Sequence, residues 1–167
     1  MQHEREPVRT RTVTWDDPEK TAALARERTG LEFIQALADG TVPSPPIAQL
    51  IGTRLESVEA GKVVFVLEPA EFHYNPIGSV HGGIYATLLD SAAGCAVHSM
   101  LPAGTGYTSS DLSVRFLRPI RVTTGTVTCT GTVTHLGRRT ALADARLEDG
   151  AGRLLATATS SCLLIHS

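Results

Sequence analysis

The chain has little of what a cross-linked or metal-holding protein needs. It contains three cysteines among 167 residues, and they stand far apart as Cys95, Cys129 and Cys162. An odd number at such spacings indicates neither a disulfide framework nor a CxxC metal site. Because free cysteine behaves as a small apolar side chain, we expect buried thiols in a reducing cytoplasm. No HxH or CxxC pair occurs and no GxGxxG follows a predicted strand, so we expect no metal and no redox cofactor.

The chain also lacks a charge imbalance and a long apolar run. Its 15 Lys and Arg against 17 Asp and Glu give a formal net charge of -2, which offers no basic field for nucleic acid or an anionic membrane. Residues 1–15 are polar and contain no apolar core of a signal peptide. The most apolar stretch, residues 82–100, is interrupted by Asp90, so we expect no membrane span. By elimination, these features favour a small-molecule function.

Residues 1–43 are predicted to form an N-terminal extension. Its first part, residues 1–15, is expected to be a flexible tail or an arm that orders against a partner. Two aspartates followed by proline are typical of a helix start, and apolar residues at helical spacing predict one helix over about 17–38. The proline-rich segment 42–46 predicts a stiff linker, which leads into a main domain over 44–167.

The main domain has the residue pattern of an α+β fold. A long and largely apolar segment predicts a helix over about 82–100. Alternating and β-branched segments predict six strands, at about 51–59, 62–68, 108–118, 126–135, 140–148 and 154–165. Short turns between strands indicate an antiparallel meander. A helix that is apolar around most of its circumference must be covered on several sides, so we expect a curved antiparallel sheet wrapped around it.

Asp90 is the one formally charged residue in the apolar segment 82–97. Burial of an unpaired carboxylate costs several kcal/mol or raises its pKa, so its presence needs a reason. A structural interpretation pairs Asp90 with an arginine or bonds it to a neighbouring strand. A functional interpretation makes it a catalytic carboxylate, and the motif around it favours this second interpretation.

The tripeptide His81-Gly82-Gly83 falls at the predicted N-terminus of the same helix. Free backbone N–H groups and the positive end of the helix dipole favour negative charge there, and glycine lets a ligand approach the backbone closely. These are the requirements of an oxyanion hole. The alternative is an ordinary helix-start turn, although each glycine inside a first turn costs about 1 kcal/mol of helix propensity relative to alanine.

The spacing of Gly82 and Asp90 constrains how both could act on one substrate. They are eight positions apart, which is about 12 Å along an α-helix. An oxyanion donor must lie about 3 Å from the carbonyl oxygen under attack. One helix cannot supply both groups, whereas two antiparallel helices from two subunits can. If both residues are catalytic, we therefore expect an obligate homodimer with two sites, or a tetramer built from such dimers.

The pattern N-x-x-G-x-x-H-G-G from Asn75, with an acidic residue seven positions after its last glycine, resembles hotdog-fold thioesterases of the PaaI-like and 4-hydroxybenzoyl-CoA types. The resemblance covers roughly 51–165 and includes the segments 107–119 and 136–139, while residues 1–43 lie outside it. It implies a hotdog fold, in which a curved antiparallel sheet wraps one long central helix, here with an extra N-terminal helix. It also implies hydrolysis of an acyl-CoA thioester, with CoA as part of the substrate.

The resemblance implies roles for residues around the thioester. The backbone N–H of Gly82 would polarise the carbonyl, with Gly83 beside it as a substrate contact. Asp90 would act as a base toward water or as a nucleophile that forms an anhydride. Asn75 would lie near the thioester or the water, although an asparagine before proline also suits a plain turn. His81 would shape the loop, with or without a part in the chemistry.

The resemblance also implies hydroxyl and cationic groups. Ser109 aligns with a hydroxyl that holds the water in some members, although an ordinary strand serine is the alternative. A second hydroxyl of other members would fall at Gly94 and is absent, and Ser110 is a candidate substrate contact whose role stays open. Arg138 and Arg139 are candidates for binding the CoA phosphates, or else a solvated pair at a hairpin.

Two other functions fit the same fold. A hotdog dehydratase or hydratase of enoyl or hydroxyacyl thioesters would use a histidine as its main acid or base, and the spacing of the HGG motif to Asp90 fits the thioesterase pattern better. A non-catalytic acyl-CoA-binding protein would not need to retain an isolated acid on an apolar helix. Fold alone does not decide among these functions.

Overall fold

The structure is a computed structural model that describes residues 6–166. It contains four α-helices among these residues, α1 (Pro18–Glu27), α2 (Gly30–Ala38), α3 (Pro46–Ile51) and α4 (Gly82–His98). The strands are β1 (Thr53–Glu59), β2 (Lys62–Leu67), β3 (Thr105–Phe116), β4 (Val127–Leu136), β5 (Thr140–Asp149) and β6 (Leu154–His166). None of the helices in the described part of the chain has the length and apolar character needed to cross a bilayer.

The six strands form one antiparallel sheet with the order β1-β2-β4-β5-β6-β3. α4 contacts β2, β3, β4, β5 and β6, so the sheet curves around the helix. Its two edges are β1 and β3, and between them one side of α4 is left uncovered by the sheet. The α+β arrangement predicted from the sequence, with one central helix inside a curved antiparallel sheet, is confirmed.

Small side chains bring α4 very close to the sheet. Ala92, Ala93 and Ala96 are completely buried, and β5 carries the buried residues Ala141, Ala143 and Ala145. A Cβ atom added at Gly131 in β4 would lie 2.1 Å from the carbonyl oxygen of Ala92. The sequence of this helix therefore sets a short distance between helix and sheet, and it fixes how the other side of α4 is presented.

The prediction of a single N-terminal helix over 17–38 is wrong, because the structure has two helices there. Arg28 is extended (φ -115, ψ 158), and Thr29 begins α2 with a capping box in which its hydroxyl and the carboxylate of Glu32 bond each other's backbone N–H. Such a cap stabilises a new helix start by about 1 kcal/mol. α2 then packs across the end of α4, where a Cβ atom on Gly30 would lie 1.6 Å from the carbonyl oxygen of His98.

The proline-rich linker leads into α3, a six-residue helix that the sequence analysis did not predict, and β1 consequently begins at Thr53. Proline in the first turn suits a helix start. Phe33, Ile34 and Val42 of the extension belong to the same buried cluster as the residues of α4. The domain boundary near residue 43 stays a prediction, but the extension contributes side chains to this shared core.

The described part of the N-terminal arm, residues 6–15, packs against the main domain of the same chain. The guanidinium of Arg11 donates to the carbonyl oxygens of Leu50 and Gln49, the latter at 3.0 Å, and it lies 3.9 Å from the centroid of the Phe72 ring. Arg9 pairs with Glu71 at 2.8 Å. The arm therefore binds the C-terminal end of α3; the rest of the predicted tail, residues 1–5, lies outside the described residues.

Candidate active site

Asp90 lies in the middle of α4 on the side that the sheet does not cover, and it is half-buried. The hydroxyl of Ser109 in β3 donates a hydrogen bond of 2.8 Å to its Oδ1 atom. Within residues 6–166 no basic side chain forms an ion pair with it. Of the two structural interpretations, the arginine pair is absent from the described residues. The bond to a neighbouring strand is present. It leaves the Oδ2 atom of Asp90 without a hydrogen-bond partner among residues 6–166.

A β-bulge in β3 turns Ser109 toward Asp90. Ser109 pairs with Cys162 and Asp111 pairs with Ser161, so Ser110 is an extra residue between two register positions. The extra residue shifts the alternation of side chains, which keeps Ser109 facing α4 and lets Leu112 further along face the core as well. The hydroxyl of Ser110 donates instead to the carbonyl oxygen of Ser161 at 3.0 Å.

The start of α4 presents one free backbone donor. His81 caps the helix, and its Nδ1 atom accepts from the N–H of Gly83 at 2.8 Å, while its carbonyl oxygen accepts from the N–H of Ile84 at 2.9 Å. The N–H of Gly82 has no partner within residues 6–166. The cap therefore occupies the amide of Gly83, a predicted substrate contact, and leaves the amide of Gly82 available.

The predicted residue Asn75 organises the loop before the helix. Its Oδ1 atom accepts from the N–H groups of Ile77 and Ser79 at 3.0 and 3.2 Å, and its Nδ2 atom donates to the hydroxyl of Ser79 at 3.2 Å. Gly78 completes this turn with a φ of 90°, a conformation that suits glycine. The turn-forming role is thus present, while a catalytic role for Asn75 stays a prediction.

His73 is a positioning residue that the sequence analysis missed. It is 3% exposed; its Nδ1 atom accepts from the N–H of Ala70 at 3.0 Å, and its Nε2 atom donates to the carbonyl oxygen of Ile51 at 2.7 Å. Its own carbonyl oxygen accepts from the N–H of His81 at 2.8 Å. Burial lowers the pKa of His73, which favours the neutral ring that these bonds require. A histidine in a loop has no periodic signal, so the sequence alone did not reveal this connection.

Tyr107 occupies the space that Gly94 leaves open. A Cβ atom at Gly94 would lie 2.6 Å from the phenol oxygen of Tyr107. Burial, with the nearby Cys95 and Asp90, raises the pKa of Tyr107 well above its usual value. Burial and Asp90 likewise raise the pKa of Cys95 to about 12, so this thiol stays protonated. The hydroxyl that the sequence lacks at position 94 is thus replaced in space by a neutral phenol.

Asp90 separates two cavities. The larger has a volume of about 510 Å³ and runs from Asp90 and Tyr107 toward the segment between α2 and α3. The second, of about 400 Å³, is a shallower cleft between Asp90 and the bulge of β3. The predicted phosphate-binding residues Arg138 and Arg139 are exposed at the turn between β4 and β5 and line neither cavity. Their role stays a prediction.

These features define a hotdog-fold protein with a carboxylate on the open side of its central helix. The sequence model of the thioesterase superfamily matches residues 77–156.

Individual known proteins show the same similarity. A Halobacterium salinarum protein, named only provisionally as an esterase, is 35% identical over 91 residues, which span 52% of this chain and 60% of that protein. The 1,4-dihydroxy-2-naphthoyl-CoA hydrolase of Listeria monocytogenes is 28% identical over 109 residues, which span 65% of this chain and 87% of the hydrolase. The structure of the Escherichia coli PaaI protein aligns with a TM-score of 0.71 at 24% identity over 80% of this chain and 94% of PaaI, which shows the shared fold.

Proposed function

We propose that the protein hydrolyses an acyl-CoA thioester to a free acid and CoA. The observation that carries the proposal is the carboxylate of Asp90, which is oriented by Ser109, lacks a cationic partner within residues 6–166 and lies between two cavities. A relative whose name states hydrolysis of an aromatic acyl-CoA supports CoA as the leaving group. The cysteines are all unpaired, in keeping with our proposal of a cytoplasmic location.

The proposed site needs two copies of the chain. Gly82 begins the helix that carries Asp90, so the two lie about 12 Å apart in one chain. A second copy, with its α4 antiparallel to the first, would bring its Gly82 N–H to a carbonyl that faces Asp90. The open edge of β3 supports such a dimer, because an unpaired edge strand of twelve residues is a template for pairing. A tetramer built from two such dimers would contain the same sites.

The chemistry has two balanced routes. As a base, Asp90 accepts a proton from water while the water oxygen bonds to the carbonyl carbon; the C–S bond then breaks and the thiolate of CoA takes up the proton. As a nucleophile, the carboxylate oxygen bonds to that carbon, CoA leaves, and water hydrolyses the resulting anhydride. In either route the Gly82 N–H stabilises the charge on the carbonyl oxygen. Ser109 orients the carboxylate, and its oxygen retains a lone pair to hold the water.

The first test is release of CoA from a panel of acyl-CoA thioesters. We expect Asp90→Asn to lower kcat by about 10²–10⁴, the usual range for loss of an acid–base group, while the dimer persists in size-exclusion chromatography with light scattering. Asp144→Asn, at an exposed acid on β5, is the matched control and should retain activity. Unchanged kcat in Asp90→Asn would exclude Asp90 as the catalytic group.

The role of Gly82 can be tested by removing only its N–H. Gly82 is the first residue of α4, where proline is well tolerated, and the backbone of His81 before it (φ -62, ψ 138) suits a residue that precedes proline. We expect Gly82→Pro to lower kcat about 10²–10³-fold, as loss of one oxyanion donor does. Gly82→Ala keeps the N–H and adds a Cβ atom 3.3 Å from the ring of Phe116, so it controls for the added side chain.

A mixture of the two inactive variants tests whether the site is shared. A dimer of one Asp90→Asn chain and one Gly82→Pro chain has one site with both defects and one site with neither. Random exchange of subunits should therefore restore about a quarter of the wild-type activity in a symmetric dimer with two shared sites. No restoration after subunit exchange, verified by mass spectrometry, would show that each site belongs to one chain.

A further inference from the structure

The larger cavity beside Asp90 is built from two parts of the chain. One wall is formed by Asp90 and Cys95 on α4 together with Tyr107. The opposite wall is formed by residues from the end of α2 through α3 to the start of β1. Most of this second wall, residues 37–48, precedes the part matched by the superfamily model. The end of α2, the segment after it and α3 therefore form most of this wall.

The lining of this cavity is suited to an apolar group. Its apolar side chains include Leu37, Ile47, Ala48, Ile51, Leu55 and Phe65. The hydroxyl of Thr53 is already used in a bond of 2.9 Å to the carbonyl oxygen of Val66, and that of Thr87 bonds the carbonyl oxygen of Gly83 at 2.8 Å. The hydroxyls of Ser44 and Ser91 remain as polar groups of the lining, which is too few to compensate a ligand with several polar groups for its lost hydration.

The charged side chains that line the cavity are not placed to pair with a carboxylate on the acyl group. Arg54 is exposed and is paired with Glu56. Asp39 is exposed and its carboxylate accepts from the N–H of Thr41 at 2.8 Å, and Asp90 would itself repel an anion. The volume of about 510 Å³ lies within the range of sites that enclose a small organic ligand, far more than an acetyl group occupies.

We propose that this cavity receives the acyl group of the substrate and that the segment from α2 to α3 selects uncharged, apolar acyl groups of medium length over acetyl and dicarboxylic acyl groups. The proposal rests on the proposed thioester hydrolysis, because it places the scissile carbonyl at Asp90. The CoA moiety would then extend from the carbonyl into the shallower cleft on the other side of that carboxylate.

The wall that performs this selection is held in place by bonds from elsewhere in the chain. A helix of six residues is too short to be stable alone. Its last carbonyl groups are bonded by Arg11, at Gln49 and Leu50, and by the buried ring of His73, at Ile51. Because α3 is fixed at its end, the cavity has a defined length, and a chain that exceeds this length should be disfavoured.

The test is a series of straight-chain acyl-CoA substrates from acetyl to palmitoyl, with succinyl-CoA as the charged member. We expect kcat/KM to rise about fourfold for each methylene that the cavity buries, and then to level off or fall. Succinyl-CoA should be hydrolysed more slowly than butanoyl-CoA, which has the same number of acyl carbons. Equal kcat/KM from acetyl to decanoyl would overturn the proposal while leaving thioester hydrolysis in place.

Matched variants on α3 locate the effect. Ala48 is buried and faces the cavity, whereas the neighbouring Gln49 is exposed and does not line it. We expect Ala48→Phe to lower the ratio of kcat/KM for decanoyl-CoA to that for butanoyl-CoA at least tenfold, and Gln49→Phe to change it less than twofold. This ratio does not depend on the fraction of active enzyme. If Ala48→Phe does not fold, Ile47→Trp at the half-exposed mouth of the cavity should lower the same ratio.

A binding measurement separates failure of this proposal from failure of the proposed function. The probes are S-ethyl-, S-butyl- and S-decyl-CoA, thioethers that cannot be hydrolysed, measured by calorimetry with the wild-type dimer and the α3 variants. Tighter binding of S-decyl-CoA that is lost in the cavity variants would support the cavity even if no thioester were hydrolysed. Equal binding of all three thioethers, or an unchanged preference in both Ala48→Phe and Ile47→Trp, would overturn it.

Discussion

The two sides of α4 differ in almost every physical respect. The side toward the sheet carries Leu88, Leu89 and Ala92, none of which is more than 1% exposed, and it touches the sheet at a distance that only Gly131 permits. The open side carries Thr87, Asp90 and Ser91, which are half-buried and line cavities rather than packed side chains. One side determines where the helix lies, and the other determines what a ligand meets.

This difference shows that neighbouring residues of one helix can serve different purposes, one stabilising the fold and the next facing the cavities. Leu89 and Asp90 are adjacent, but successive residues on an α-helix point about 100° apart. Leu89 is therefore completely buried, while Asp90 faces the cavities. A substitution on one side should change stability with little effect on the chemistry of the folded enzyme, and a substitution on the other side should do the reverse.

The adjacent pair Leu89 and Asp90 gives the largest expected contrast. Asp90→Ala should lower kcat by about 10²–10⁴ with little change in KM and no loss of thermal stability. Leu89→Ala should lower the free energy of unfolding by about 2–5 kcal/mol while the folded fraction retains most of its kcat. Urea unfolding and steady-state kinetics on both variants measure the contrast. A stability loss in Asp90→Ala as large as that in Leu89→Ala would remove the distinction between the two sides.

The close approach of helix and sheet can be tested next, at Gly131. A Cβ atom there would overlap the backbone at Ala92, which cannot move without shifting α4. We expect Gly131→Ala to lower the free energy of unfolding by about 1–3 kcal/mol or more. Gly106→Ala is the matched control, since Gly106 also lies in a strand and an added Cβ atom would meet nothing within 4 Å. Equal melting temperatures for the two variants would contradict the packing described here.

Most of the fold and part of the site could be predicted from the sequence. The long helix and all six strands could be predicted from periodicity, because the apolar residues of each element are visible within its own segment of the sequence. The break at Thr29 was missed because the helical spacing continues across it, although the capping pair Thr29 and Glu32 is visible in the sequence. α3 was missed because a six-residue helix after prolines has no periodic signal.

Other parts of the site depend on the register between strands and could not be predicted. The bulge at Ser110 decides that Ser109 faces Asp90, and a bulge depends on how β3 pairs with β6 rather than on β3 alone. The filling of the space at Gly94 by Tyr107 depends on the same pairing. The residue types at the site were thus predictable, whereas their partners required the tertiary structure.

Ser109 provides a smaller test of the open side. Ser109→Ala removes the hydrogen bond to Asp90 but no packed volume. Because hydrogen bonds to charged groups contribute about 1.5–3 kcal/mol, we expect kcat/KM to fall about ten- to a hundredfold. The bond lies at an exposed position, so the melting temperature should change little. Ser113→Ala, at an exposed serine beyond the bulge, is the control. If both variants kept full activity, the orientation of Asp90 by Ser109 would have no catalytic importance.

The smallest expected effect is a pH dependence of stability that arises at the two ends of α4. Burial lowers the pKa of His73, which bonds the loop before the helix, and also that of His98, the last residue of the helix. A histidine whose pKa is lowered by folding binds more protons in the unfolded state, so stability is fully present above about pH 6.5 and is lost as the pH falls below that value. The charged groups near His73 include Arg11, which lowers its pKa further.

We therefore expect the melting temperature to fall between pH 7.5 and pH 5.5, and to fall less in His73→Gln than in the wild type. In His73→Gln the group that must stay neutral is gone, although the variant should be less stable at both pH values because it loses a buried bond. His135→Gln, at an exposed histidine of β4, is the control and should leave the pH dependence unchanged. If the melting temperature depended on pH equally in the wild type and in His73→Gln, the acid sensitivity would arise from other groups than His73.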